Sequence, residues 1–149
     1  MILDELCEFA DATALSTAGT STYNVGSSVD SSVARDLGNG QPIYCVIQVT
    51  TAVAGTSSTV VFALRSDSSA TLAVDGSATT HWRSEAIAEA TLVAGFELVF
   101  PIPLGPDIAY ERYLGIQITV GAAALSAGAI NAFLTMDPYG WKAYPEGSN

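Results

Sequence analysis

The sequence predicts an all-β domain, and three observations carry that prediction. Five segments alternate at period two, those segments are rich in β-branched and aromatic residues, and Gly, Ser, Pro and Asp cluster between them. Period-two alternation marks a strand with one buried face. In Ile43-Tyr44-Cys45-Val46-Ile47-Gln48-Val49 the odd positions share a face. Val60, Phe62 and Leu64 alternate with Val61, Ala63 and Arg65. Phe96, Leu98, Phe100 and Ile102 repeat the pattern opposite Glu97. Leu114, Ile116, Ile118 and Val120 face away from Tyr113, Gln117 and Thr119. Ile130, Ala132, Leu134 and Met136 alternate with Asn131, Phe133 and Thr135.

Turn chemistry separates these runs. Gly38-Asn39-Gly40 precedes the first and Ser66-Asp67-Ser68-Ser69 follows the second. Pro101, Pro103 and Pro106 close the third, because proline donates nothing to a sheet ladder. The stretch from Gly121 to Gly128 joins the last two, which are expected to pair antiparallel. Gly19, Gly26, Gly38 and Gly40 read as turns. Weaker strands are expected near residues 21–25, 81–87 and 141–144, and residues 16–32 read as an extended Ser/Thr-rich connection. Seven or eight strands in one domain pack as two sheets or close into a barrel, with a jelly roll or an immunoglobulin-like sandwich as the natural choices. Residues 1–15 read as an N-terminal arm or short helix and residues 16–149 as the β-sandwich. On that arm Ile2, Leu3 and Phe9 either reach a neighbouring protein or cover one end of the core.

Composition narrows the function. Length suits a single domain of 149 residues, and only 13% are charged against a usual share of about 25%. Such a neutral, small-featured surface suits a protein packed against others, and equally a secreted sandwich. Five basic and fifteen acidic residues give a net charge of −10, and the five basic side chains are scattered singly. Nucleic acid and anionic membranes both draw on clustered Lys and Arg, so neither is an expected partner. Cys7 and Cys45 lack metal-site spacing and are expected as free thiols, Cys45 buried in a strand. The N-terminus has no basic region before an apolar stretch, so it does not read as a secretory signal. The apolar run 118–134 contains Gly121, Ser126, Gly128 and Asn131 and reads as strand, loop, strand rather than a membrane span.

No chemistry stands out. His81 is the only histidine, which excludes any two-histidine metal site, and no Gly-x-Ser-x-Gly elbow accompanies it. It reads as a loop or sheet-edge imidazole. Glu85 with Glu89, and Asp107 with Glu111, are close in sequence, but nothing places them across a cleft. Asp67, Asp75 and Asp137 lie in turn contexts, where carboxylates cap backbone N–H groups. No calcium loop and no phosphate-cradling loop is present, so no enzyme activity, metal or cofactor is expected.

Four stretches together resemble one family. They are Met1-Ile2-Leu3-Asp4 leading to Phe9-Ala10-Asp11-Ala12, and Arg35-Asp36-Leu37-Gly38-Asn39-Gly40-Gln41-Pro42-Ile43-Tyr44. The others are Glu111-Arg112-Tyr113-Leu114-Gly115-Ile116 with Gly121 and Ala127-Gly128-Ala129, and Tyr144-Pro145. In order along the chain they are similar to the small capsid cement, or decoration, proteins of tailed bacteriophages, the group that includes the cement protein of a Bordetella phage. The resemblance implies a jelly-roll subunit, made in the host cytoplasm, that sits on the capsid exterior as a homotrimer and clamps the major capsid protein. Ile2, Leu3, Phe9, Tyr139, Trp141 and Tyr144 are the candidate contact residues. The alternative is a carbohydrate-binding sandwich, with Trp82, Trp141, Tyr139 and Tyr144 as its candidate aromatic platform.

Overall fold

The computed structural model describes residues 5–34, 41–103 and 109–138. Among them run nine strands: β1 (Glu8–Ala14), β2 (Thr22–Asp30), β3 (Tyr44–Gly55), β4 (Thr59–Asp67), β5 (Thr79–Arg83), β6 (Ile87–Ala88), β7 (Glu97–Pro101), β8 (Tyr113–Gly121) and β9 (Leu125–Thr135). Two 3₁₀ turns, Glu5–Cys7 and Glu89–Thr91, complete the described elements. The strands form two antiparallel sheets, ordered β1-β9-β3-β7 and β2-β8-β4-β5, with β6 also on β4. The first strand pairs with the last and the second with the last but one, and most successive strands change sheets. That winding is a jelly roll.

Alternation predicts most of the core. Cys45, Ile47 and Val49 of β3 and Ile130 and Ala132 of β9 join Phe62 and Leu64 of β4 and Ile116 and Ile118 of β8 in one cluster. Each large aliphatic or aromatic member contributes roughly 1.5–3 kcal/mol on burial. Cys45 is fully buried with a free thiol, and burial pushes its pKa upward.

Four expectations are corrected. Residues 8–14 are not an arm: they form β1, paired to β9, with Phe9 and Ala10 both in the core. A register shift between Glu8 and Ala10 turns both successive side chains inward. The Ser/Thr-rich stretch is not all connection: the weak strand expected near 21–25 is there and runs on as β2 to Asp30, at the edge of its sheet with side chains mostly not buried, so it carries little apolar alternation. β8 and β9 do not pair with each other, because the short connection between them crosses from one sheet to the other. Gly26 is no turn but lies within β2, where a Cβ would run into the Phe9 carbonyl. Gly38 and Gly40, Asp107 and the strand expected at 141–144 lie outside the described residues.

The topology also gathers chain ends. Strand pairing places the starts of β1 and β3 and the ends of β7 and β9 at one end of the first sheet. The end of β2 and the start of β8 lie together in the second sheet. The Tyr110 hydroxyl donates to the Pro103 carbonyl at 2.7 Å, tying the exit from β7 to the entry of β8 at that same end.

Candidate functional site

Of the six predicted contact residues, Ile2, Leu3, Tyr139, Trp141 and Tyr144 lie outside the described residues. Phe9 is 2% exposed inside its own sandwich, so it cannot face a partner. Trp82 is half-buried and stacks on Phe100, ring centroids 3.6 Å apart, which removes that face from any sugar-binding platform.

His81 is the extra residue where the β4–β5 register shifts, and its ring turns inward to 7% exposure. Its Nε2 lies 2.7 Å from Ser66 Oγ, and the ring stacks on Tyr110 at 3.8 Å. Ser66 Oγ also accepts the Glu111 N–H at 3.0 Å. Two features set this pair apart from a nucleophile and its base. Nδ1 has no hydrogen-bond partner among the described residues, so no carboxylate orients the ring, and Ser66 is 0% exposed, so no substrate reaches it in this geometry. The arrangement fastens β4, β5 and residues 110–111 together.

Burial disfavours the imidazolium and pulls the His81 pKa down to about 4. The unfolded chain therefore takes up a proton that the folded chain refuses. The contribution of His81 to stability is expected to be present above the ordinary imidazole pKa of 6.5 and to be lost as pH falls toward 4. Urea titrations of wild type and His81→Gln between pH 7 and 4.5 test this. The variant is expected to show a flatter profile, and parallel profiles would mean the ring is not the acid-sensitive group.

Carboxylates serve the backbone. Glu89 accepts the Ser57 and Ser58 N–H groups at 3.0 and 2.6 Å, fixing the β3–β4 turn. Asp67 accepts from Ser69 and Ala73, and Asp75 from Ser77, bonds that hold both pKa values down as the turn contexts predict. Asp137 contacts Thr135 through its backbone. Asp30 receives two bonds from Arg112 at 2.8 Å, which draw its pKa down to about 2 and pin the end of β2 to the start of β8. Glu5, Glu8 and Asp11 border a shallow groove of about 260 Å³ between β1 and β2. Partial burial, then Asp11 and Glu5, raise the Glu8 pKa. Among the described residues no three His, Cys, Asp or Glu side chains are grouped to hold a metal ion, and no helix is long and apolar enough to cross a membrane.

Sequence reasoning did not single out the exposed apolar residues beside the start of β1 and the end of β9. Leu6 is 79% exposed in the turn that packs beside β9, and Met136, directly after β9, is 64% exposed. Val33, 55% exposed beyond the end of β2, projects from the same end of the sandwich. Clustered exposed apolar side chains mark association surfaces, whereas isolated ones do not. Alternation assigned Met136 to a buried face, but β9 ends at Thr135.

Comparison with known proteins identifies a family. The Bbp16 family model matches residues 9–134, most of the chain and nearly all of the sandwich. The chain belongs to that family, a family of Bordetella phage proteins. No curated protein matches the sequence.

Proposed function

We propose, from membership of a Bordetella phage family, that the protein is a structural component of the phage particle: a capsid decoration protein. The match over residues 9–134 is the observation that carries this reading. It binds the outer surface of the head, bridges major capsid subunits as a homotrimer, and acts without catalysis, nucleic acid or membrane. The jelly-roll winding, the net charge of −10 and the apolar side chains at one end of the sandwich support it. That end, carrying Leu6, Val33 and Met136, is the contact surface.

Purified protein added to heads assembled without it is expected to co-sediment with them, and electron cryomicroscopy is expected to show it at three-fold positions. The double variant Leu6→Glu, Met136→Glu should keep the wild-type circular dichroism and bind at least tenfold more weakly. Burial of even one such side chain is worth roughly 1.5–3 kcal/mol, and each 1.4 kcal/mol is tenfold. Wild-type protein that stays in the supernatant, or binds sugars instead, would overturn the assignment.

A further inference from the structure

Two of the chain's five basic residues stand side by side on the outer face of the second sheet, with no acidic partner among the described residues. Phe62 and Leu64 of β4 point into the core, so the alternate residues Ala63 and Arg65 point outward. Arg83 of β5 pairs with Ala63, which puts it on that same face as a diagonal neighbour of Arg65. Arg83 is exposed and Arg65 half-buried. Among the described residues the one ion pair joins Arg112 to Asp30, at the end of β2. Asp67, the next outward residue of β4, gives its two carboxylate oxygens to the backbone N–H groups of Ser69 and Ala73.

Within one copy the arginine pair is uncompensated. Arg65 Nε is buried with no hydrogen-bond partner among the described residues, although buried polar groups are almost always paired. Partial burial, and then the like charge of Arg83, lower the Arg65 pKa. Both effects work against the cation, and a carboxylate brought from outside offsets them.

Such carboxylates line the opposite flank of the sandwich. β1 and β2 are edge strands packed together on one side, and β5 and β7 close the other, where Trp82 stacks on Phe100. Within each sheet three strand spacings of about 4.8 Å lie between the two flanks. Glu5, Glu8 and Asp11 border the β1–β2 groove, and no basic residue lines it. Cation on one flank and anion on the other cannot meet within a copy, but they can between two.

We propose that Arg65 and Arg83 receive the carboxylates of Glu8 and Asp11 from a second copy of this chain. Two different surfaces meet in that contact, and heterologous contacts of this kind close into rings when the rotation allows. The contact rests on the homotrimer reading and supplies the surfaces by which the ring closes.

Sedimentation velocity on the full-length chain tests this. The wild type is expected to sediment as a trimer in low salt and to dissociate as salt rises, because screening weakens exposed ion pairs. Arg83→Glu and Asp11→Lys, both at exposed positions, should each keep the wild-type circular dichroism and melting temperature. Each should weaken association at least about tenfold, since like charges then face each other across the interface. The double variant exchanges the two charges and should recover most of the lost association. A trimer that neither single variant weakens, or a double variant no better than the singles, would overturn the contact and leave the homotrimer standing. In that event weaker binding of Arg83→Glu to heads would assign the arginines to a capsid subunit. A wild type that stays monomeric at every salt and protein concentration would overturn both readings.

Discussion

A chain lacking residues 1–10 is expected to lose its cooperative fold, rather than to persist as a stable sandwich that merely fails to bind a partner. The deletion removes the Glu8 and Ala10 pairings to β9 and takes Phe9 and Ala10 out of the core. Truncating one buried Phe to Ala costs about 3–5 kcal/mol, and domains of this kind hold roughly 5–15 kcal/mol in total. Phe9→Ala alone should therefore lower the melting temperature by many degrees, and the deletion should abolish the thermal transition seen by circular dichroism. A truncated chain that melts like wild type would show that β1 contributes nothing and that residues 1–10 act as an arm.

Of the two sequence readings of Phe9, an arm or a cover on the core, the structure bears out the second, and the reason the strand itself was not legible is physical. Phe9 sits in Glu-Phe-Ala-Asp-Ala-Thr-Ala, where two register shifts break the period-two pattern that makes a strand legible. Within the second shift Ala12 adopts φ +42°, and its N–H leaves the ladder for Asn131 Oδ1 at 2.6 Å. β3, β4, β8 and β9 lie inside their sheets, and the regular stretches Tyr44–Val49, Thr59–Leu64 and Leu114–Val120 show most of their core residues through period-two alternation. β2 was obscure for the opposite reason, since an edge strand that buries little needs few apolar residues. The β8–β9 relation was misjudged because a short connection looks alike whether it turns back within a sheet or crosses between two. Only the global winding decides which. Candidate site residues fared unevenly. The turn carboxylates Asp67 and Asp75 were legible from local chemistry, whereas the exposure of Leu6 and Met136 depends on where neighbouring elements stop.

Gly26→Ala is expected to be the most damaging single-methyl change in the described chain. Val25 pairs with Ile116 but Val29 with Leu114, so the intervening residues of β2 bulge, and Gly26 adopts φ +65° within the bulge. A side chain in that left-handed conformation costs about 1–2 kcal/mol by itself. Here the methyl also meets the Phe9 carbonyl and Ala10 Cα, which are backbone and cannot swing aside. β1 and β2 belong to different sheets, so this close approach closes one open side of the sandwich. Gly76→Ala provides the comparison: its φ is +97° and nothing lies within 4 Å of the added methyl, so it carries conformational strain alone. Gly26→Ala should cost at least about 2 kcal/mol more than Gly76→Ala in urea unfolding, a difference within the range of severe point mutations. Hydrogen exchange should localise the loss, with the β1 amides losing protection before those of β4 and β8. Equal losses in the two variants would mean that strain at Gly26, and not contact with β1, sets its cost. The closure of that edge would then have to rest on the buried side chains of Phe9 and Val25 alone.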